Sequence, residues 1–192
     1  MSATFPIILS APSGTGKTTI AKTLLKRRAD IGYSVSCTTR DPRPGEVNGT
    51  DYYFLSRSAF VAKREEGEFA ESAEVHGNLY ETLRSEVLRV INSGKHVLMD
   101  IDVQGAAQLR DRVPDALFIF LEPPSVDELQ ERLWARGTDD HEALRRRAED
   151  AERELSEAER YDHRVVNDDV DRAAREILDV VVDSRDENGG DG

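Results

Sequence analysis

The chain has 192 residues and a mass of 21.5 kDa, which fits one domain with a substantial buried core. Its formal charge of −12 and isoelectric point of about 4.8 argue against broad nucleic-acid binding, because phosphate backbones attract basic surfaces. Cys37, the only cysteine, excludes an intrachain disulfide, and no apolar run reaches the ~18 residues of a membrane span. We therefore expect a cytoplasmic protein without nucleic-acid or membrane partners, whose oligomeric state (monomer or homo-oligomer) the sequence leaves undecided.

The first 84 residues consist of regular strand and helix patterns followed by a turn-rich segment. A buried strand is predicted from Phe5 to Ser10, followed by a glycine-rich turn and a helix that begins near Lys17. A second short strand is predicted from Tyr33 to Ser36. Residues 37–84 then contain turns at prolines and glycines, short aromatic pieces and one helix near Ser58 to Glu66. This turn-rich composition indicates that the segment is an insertion.

The second half alternates strands with helices, a pattern typical of an α/β fold with a parallel sheet. A charged, mostly helical segment, 125–160, interrupts the alternation. Its first helix begins at Ser125 with a capping box, because Glu128 lies three residues on. The regular elements predicted in this half are strands at His96–Asp102, Ala116–Glu122 and His163–Asn167, and helices at Val103–Val113 and Val170–Val182.

These elements predict a single domain with two insertions. The core comprises residues 1–36, 85–124 and 161–183, the first insertion 37–84 and the charged helical insertion 125–160. Residues 184–192 are predicted to be a disordered tail. Open α/β sheets bind ligands at the carboxyl edge of their strands, so we expect both insertions to border the site.

The stretch "APSGTGKT", Ala11 to Thr18, follows a strand and begins a helix, the context required of a phosphate-binding P-loop. Gly14 and Gly16 let successive N–H groups point at an anion, and the helix dipole adds positive potential. Lys17 supplies a full charge to the β- and γ-phosphates, and the Thr18 hydroxyl is placed to ligate Mg²⁺. We predict a nucleoside triphosphate site, although the strict pattern has glycine in place of Ala11.

Mg²⁺ also needs a carboxylate. The stretch "LMDID" places Asp100 and Asp102 at the carboxyl end of a buried strand, where a Walker B acid lies. Solvated strand-end aspartates are the alternative interpretation.

A second anion site is predicted in "SVSCTTRDPRPGEVNGTDYY". Arg40 and Arg43 can grip a phosphate through bidentate contacts, and the intervening prolines restrict the loop. Tyr52 and Tyr80 add hydroxyl donors. The carboxylate of Glu71 can accept two hydrogen bonds from guanine, at N1 and the 2-amino group, whereas adenine presents a lone pair at N1. Such a site discriminates between bases by roughly 10⁴-fold or more, because the wrong base leaves buried polar groups unpaired.

With these motifs the chain resembles the bacterial guanylate kinases, which make GDP and ADP from GMP and ATP. The resemblance extends from about Phe5 to Val182, and its most specific part is the arginine loop. The motifs, in the family's order, are "SAPSGTGKTT", "SVSCTTRDPRPGEVNGTDYYF", "FAESAEVHGNLY", "LMDIDVQGA", "EPPSVDELQERLWARGT" and "VVNDD". It implies the nucleoside monophosphate kinase fold, with a GMP-binding insertion at 37–84 and a lid at 125–160. Bacterial members commonly carry alanine at the position of Ala11.

The resemblance also implies residue roles. The GMP phosphate would be held by Arg40, Arg43, Tyr52 and Tyr80, and guanine would be read by Ser36, Glu71 and Thr82, with Asp102 beside them. ATP would be bound by Ala11, Pro12, Ser13, Gly14, Thr15, Gly16, Lys17, Thr18, Thr19, Arg136 and Asn167. Catalysis would rest on Lys17, Arg40, Arg43, Arg136 and Arg147, and Mg²⁺ on Thr18 and Asp100, through water.

The roles of Glu81 and of the arginines in the charged segment depend on where their side chains point. Glu81 stands where the family usually has glycine, and a charge beside Tyr80 is expected to weaken GMP binding unless it points to solvent. The charged segment that contains Arg136 and Arg147 also contains Arg132. The alternative interpretation of these arginines is that they lie on a solvated helix face.

Three alternative functions fit the sequence less well than a GMP kinase. A non-catalytic guanylate-kinase-like scaffold module typically lacks an intact phosphate loop, which this chain keeps. A kinase of the same fold acting on another phosphate ester, such as a ribose bisphosphate, leaves Ser36, Glu71 and Thr82 unexplained. A GTPase switch would need an N-K-x-D stretch, and none appears.

Overall fold

The computed structural model describes residues 4–75, 77–135 and 141–188, with the side chains of all of these except 133, 135, 141–148 and 185–188. Within them the strands are β1 (Pro6–Ser10), β2 (Ile31–Tyr33), β3 (Ser36–Thr38), β4 (Tyr53–Phe54), β5 (Phe69–Val75), β6 (Asn78–Leu83), β7 (His96–Asp100), β8 (Leu117–Glu122) and β9 (His163–Val166). The helices are α1 (Lys17–Arg27), α2 (Arg57–Glu65), α3 (Arg84–Asn92), α4 (Val103–Arg110), α5 (Val126–Ala135), α6 (His141–Ser156) and α7 (Val170–Asn188).

The core is a five-stranded sheet in the order β2-β7-β1-β8-β9, with every pair parallel. Helices cover both faces, so the central strand is apolar along its length. Ile7 and Leu9 pack with Ile20 of α1 and Ile177 of α7, whereas Ile8 packs on the opposite face with residues of α3 and α4. The predicted α/β fold with a parallel sheet is confirmed.

The first insertion forms a second sheet, β4-β3-β6-β5, in which β6 runs antiparallel to both β3 and β5. Helix α2 packs on one face of this sheet through an apolar cluster that includes Cys37, Phe60 and Phe69. Cys37 is fully buried in that cluster, and burial raises the pKa of its thiol to about 12. It is therefore a packing residue and not an activated nucleophile.

The predicted second strand, Tyr33 to Ser36, is instead divided between the two sheets. β2 ends at Tyr33, and the Ser34 N–H still donates to the Leu98 carbonyl of the core. From Ser36 the chain pairs with β6, with Ser36 opposite Thr82. The connection between core and insertion is thus only two residues long.

Helix boundaries also differ from prediction. α4 ends at Arg110 and not at Val113, because Pro114 disfavours helical geometry in the residue before it. α7 continues to Asn188, so residues 184–188 of the predicted tail are helical. Neither glycine nor proline occurs between Val182 and Asn188 to stop the helix. Among the residues described, no helix is long and apolar enough to cross a bilayer.

Candidate active site

The P-loop lies between β1 and α1, as predicted. Gly14 and Gly16 adopt φ values of 97° and 95°, a left-handed geometry that favours glycine. A side chain at Gly16 is also excluded by space, because its Cβ would lie 2.7 Å from Nδ2 of Asn167. The loop's curvature therefore depends on both glycines.

Lys17 is held between the P-loop and the end of β7. Its Nζ lies 2.8 Å from Oδ1 of Asp100 and donates to the Ile101 carbonyl at 2.7 Å. Burial alone would lower the pKa of Lys17, but the Asp100 carboxylate outweighs it, and the pKa is raised. The Asp100 carboxylate therefore favours the charged form of Lys17 where a phosphate would bind.

Asp100 also faces the Thr18 hydroxyl, with Oδ2 3.5 Å from Oγ1. The parallel register places Asp100 opposite Leu9, one residue before the end of β1, and so beside the P-loop. A hydroxyl and a carboxylate that converge on one side of the phosphate cradle are the hard oxygen ligands that Mg²⁺ prefers. Among the described residues, no group of three or more His, Cys, Asp or Glu side chains forms a metal site. The arrangement therefore fits an ion that takes its remaining ligands from phosphates and water.

Asn167 and Arg132 support the P-loop from its other side. Asn167 is 3% exposed, and its Nδ2 donates to the Thr15 carbonyl at 2.6 Å. Arg132 of α5 donates to the carbonyls of Thr15 and Asn167, at 3.4 and 3.2 Å. The end of β9 and helix α5 thus meet at the phosphate loop.

The arginine loop carries its own counter-charge. Glu46 accepts hydrogen bonds from both terminal nitrogens of Arg40, at 2.9 and 3.0 Å, and from the Arg43 backbone N–H at 2.7 Å. The Arg40 guanidinium also lies 5.5 Å from the ring centre of Tyr52. Among the side chains described, none forms an ion pair with Arg43, which lines the cleft with Tyr52 and Tyr80.

The predicted base-reading residues converge on β3, β5 and β6. Ser36 and Thr82 are cross-strand neighbours whose hydroxyl oxygens are 3.1 Å apart. Glu71 is 4% exposed, and burial raises the pKa of its carboxyl to about 7. Hydrogen bonds from Thr82 act in the opposite direction, while the nearby Asp102 raises the pKa further. The result is a recessed carboxyl group beside two hydroxyls.

Asp102 begins α4. One of its oxygens accepts the Gly105 N–H at 2.8 Å as an N-cap, and burial raises the pKa of the carboxyl. The other oxygen is buried and has no hydrogen-bond partner among the described residues. An orphaned buried acceptor in a cleft is available to a ligand.

Most of these groups border one cleft, which connects the P-loop with the insertion. Arg40, Thr82, Arg132 and Asn167 are not among the residues that line it. The residues that line it include Ser13, Gly14, Lys17, Thr18, Ser36, Arg43, Tyr52, Glu71, Tyr80, Asp100, Asp102 and Glu154. The P-loop and Arg43 of the arginine loop thus face the same space.

Glu154 is a residue of this cleft that sequence reasoning missed. It extends from α6, and burial raises the pKa of its carboxyl to about 7, while Lys17 acts to lower it. The Ser13 backbone N–H donates to it, so a carboxyl group of α6 lies where the P-loop would meet a phosphate. In a segment this rich in glutamate, the sequence gives no signal that separates Glu154 from its solvated neighbours.

Glu81 does not point to solvent, the condition under which the sequence predicted that it would leave GMP binding unaffected. It is fully buried on the face of the sheet opposite Tyr80 and Thr82. Nε of Arg64 donates to it at 2.6 Å, and the Ser72 hydroxyl donates at 2.5 Å. Strand alternation turns the Glu81 carboxylate toward Arg64 and Ser72, although Glu81 also borders the cleft.

Two predicted lid residues fall outside what the structure describes, namely Arg136 altogether and the side chain of Arg147. Trp134, which has the spacing of a packing residue, is instead 63% exposed on α5.

A parallel α/β sheet, a P-loop and a second anion site in the same cleft define a nucleotide phosphotransferase of the P-loop kinase class. The comparisons with known proteins identify the family within that class. The guanylate kinase family model matches residues 3–184, so the chain belongs to the guanylate kinase family.

Individual relatives agree with this membership. A guanylate kinase from Nitratidesulfovibrio vulgaris is 52% identical over 171 residues, covering 89% of this chain and 83% of the relative. One from Nostoc is 50% identical, covering 89% and 86% respectively. The crystal structure of guanylate kinase from Anaplasma phagocytophilum superposes with a TM-score of 0.81 at 33% identity, covering 96% of this chain and 88% of that one.

Proposed function

We propose that the cleft transfers the γ-phosphoryl group of ATP to GMP, giving ADP and GDP. The observation that carries this proposal is the single cleft into which the P-loop and the arginine loop both open. Family membership supports the same reaction, since the named relatives are guanylate kinases. Its place in metabolism would be the recycling of GMP in purine nucleotide metabolism.

ATP is proposed to bind at the P-loop, Ala11 to Thr19, with its phosphates on the backbone N–H groups and on Lys17. Asn167 is proposed to contact the adenine, and its hydrogen bond to the Thr15 carbonyl, which holds it beside the P-loop, supports this. The proposed lid contacts are Arg136 and Arg147, which the family resemblance supports.

Mg²⁺ is proposed as the cofactor, held by the Thr18 hydroxyl and by Asp100, directly or through water. When bound, the ion would neutralise charge on the β- and γ-phosphates. The 3.5 Å approach of the two side chains supports this assignment.

GMP is proposed to bind at the insertion. Arg40, Arg43, Tyr52 and Tyr80 would hold its phosphate, and Arg40 would exchange part of its contact with Glu46 for the ligand. The base would meet Ser36 at O6, while Glu71 and Thr82 would accept from N1 and the 2-amino group. Asp102, with its orphaned oxygen, would lie beside the base.

The chain's own groups then perform three tasks. They align the two nucleotides in line, they exclude water between them, and they offset the repulsion of two anions. Lys17 and the arginines supply the positive charge, so no covalent enzyme intermediate is required. We propose that the segments 37–84 and 125–160 close over the substrates, and that the protein acts in the cytoplasm, where its single buried thiol stays reduced.

The experiment that tests the proposal measures ADP formation from Mg·ATP with GMP, AMP, CMP, UMP or no acceptor. Rapid turnover with GMP alone is expected, with loss of that turnover in Arg43→Ala. Arg57→Ala, an exposed arginine at the start of α2, is the matched control and should behave as wild type. ATP consumption that is indifferent to GMP would refute the proposal and leave a binding module or a different phosphate ester as the explanation.

A further inference from the structure

Gly105 lies in helix α4 directly against the carboxyl group of Glu71. A Cβ built on Gly105 would be 2.4 Å from Oε2 of Glu71 and 3.0 Å from its Cδ. The same Cβ would be 3.3 Å from Oδ1 of Asp102. No side chain can occupy this point while the Glu71 carboxyl stays where it is.

Backbone conformation does not explain this glycine. Gly105 lies inside a regular helix, with none of the positive φ values found at the turn glycines. Glycine is also the least favourable helix residue after proline, so alanine would suit the helix better. The remaining reason for glycine is the space that it leaves for Glu71.

The steric conflict between a side chain at position 105 and Glu71 would move Glu71 and not the helix. The closest atom to the absent Cβ is the far end of a flexible side chain, whereas the helix backbone is held by its own hydrogen bonds and by the Asp102 cap. A methyl group at Gly105 would therefore displace the carboxyl group and leave the helix in place. Displacement would misalign it with the hydroxyls of Ser36 and Thr82.

We propose that Gly105 is a positioning residue for guanine selectivity, acting through Glu71 by leaving the space in which that carboxyl group reads the base. This inference rests on the proposed function, because it concerns the acceptor's base. Helix α4 belongs to the core, and through Gly105 it would contribute to the base selectivity of the insertion.

The test compares Gly105→Ala with wild type, using GMP and IMP as acceptors, since IMP lacks the 2-amino group that Glu71 would bind. In the variant kcat/KM for GMP should fall about 10- to 100-fold, the scale of a lost hydrogen bond to a charged group, and the GMP-to-IMP ratio should fall with it. The KM for ATP should not change. Ala107→Gly, on the exposed side of the same helix, controls for helix propensity and should keep the ratio.

A double-mutant cycle tests whether the effect of Gly105→Ala on selectivity acts through Glu71. Gly105→Ala added to Glu71→Ala should cost nothing further, because the carboxyl group that it displaces is already absent. If Gly105→Ala does not fold, the double variant decides. Folding of the double variant would support the proposal, and its failure to fold would overturn it.

Undiminished GMP-to-IMP selectivity in Gly105→Ala, or full additivity with Glu71→Ala, would overturn the inference while leaving the GMP kinase assignment intact. Absence of GMP phosphorylation by the wild-type chain would instead refute the proposed function itself. The wild-type assay therefore separates the two failures.

Discussion

The proposed donor and acceptor sites would bind the same chemical group, and they are built in different ways. The P-loop is one contiguous stretch whose N–H groups converge because two glycines adopt positive φ. The acceptor site is assembled from side chains on β3, β5, β6, the arginine loop and the start of α4. Its geometry depends on how two sheets and a core helix meet.

The difference extends to how each site balances its charge. Lys17 faces Asp100, which is 7% exposed, within the core of the fold. Arg40 faces Glu46 on its own loop, while Arg43 has no ionic partner among the described side chains. The donor cation is thus fixed by the fold, whereas the acceptor cations are held by a local loop that a ligand can rearrange. Substitutions should therefore act on separate parameters at the two sites.

The largest effect is expected for Lys17→Met. The substitution removes the fixed charge on the transferred group and leaves Asp100 buried without its partner, so kcat should fall by about 10³-fold or more. Steady-state kinetics on the folded variant measure this, with Lys26→Met on the exposed face of α1 as the control. A loss below tenfold would contradict the placement of Lys17 at the phosphates.

A smaller effect is expected from pH at the acceptor site alone. Burial raises the pKa of Glu71 to about 7, so the carboxylate that accepts hydrogen bonds from guanine is present above this pH and is lost below it. The KM for GMP should rise about tenfold as pH falls from 8 to 6, because the ionised fraction falls by that factor.

The phosphate of GMP titrates in the same range, and Glu71→Gln separates the two groups. In that variant the phosphate still titrates, but KM should be high throughout and the part of the pH dependence due to Glu71 should disappear. An unchanged pH profile in Glu71→Gln would show that this carboxyl group does not read the base.

The last prediction concerns the stability of the insertion and not the kinetics of either site. Arg64→Ala leaves fully buried Glu81 without its cation, which should cost about 3 kcal/mol and lower Tm by roughly 10 °C. Glu81→Gln should cost less, because the side chain of Arg64 is 43% exposed and stays solvated. Thermal unfolding measures both, and the reverse order would contradict the account of Glu81. The KM for ATP should be unchanged in each variant.

The same contrast explains how much the sequence could predict. The P-loop is a contiguous pattern and was placed correctly from sequence alone. The strand predicted at His96–Asp102 was placed correctly at its start but ends at Asp100, and Asp102 instead caps α4. Ser36, Glu71 and Thr82 are separated by up to 46 residues, and their convergence was implied by family resemblance. The residue types alone do not predict this convergence, because it depends on the register of β6 with its neighbours.

What could not be predicted depends on three-dimensional contacts. Glu46 and Glu154 are two glutamates in an acidic chain, and only the fold shows that one faces Arg40 and the other Lys17. Gly105 carries no turn signal, and its role appears only when Glu71 lies against α4. The split of the predicted second strand has the same origin, since pairing with β6 replaces pairing with the core.

The most direct test of the two-site account is calorimetric titration of GMP, and separately of a non-hydrolysable Mg·ATP analogue, into wild type, Lys17→Met and Arg43→Ala. The account predicts that Arg43→Ala weakens GMP binding and leaves the ATP analogue unaffected, while Lys17→Met does the reverse. Equal weakening of both ligands by either substitution would contradict it, because the cleft would then hold one shared anion site and not a donor site facing an acceptor site.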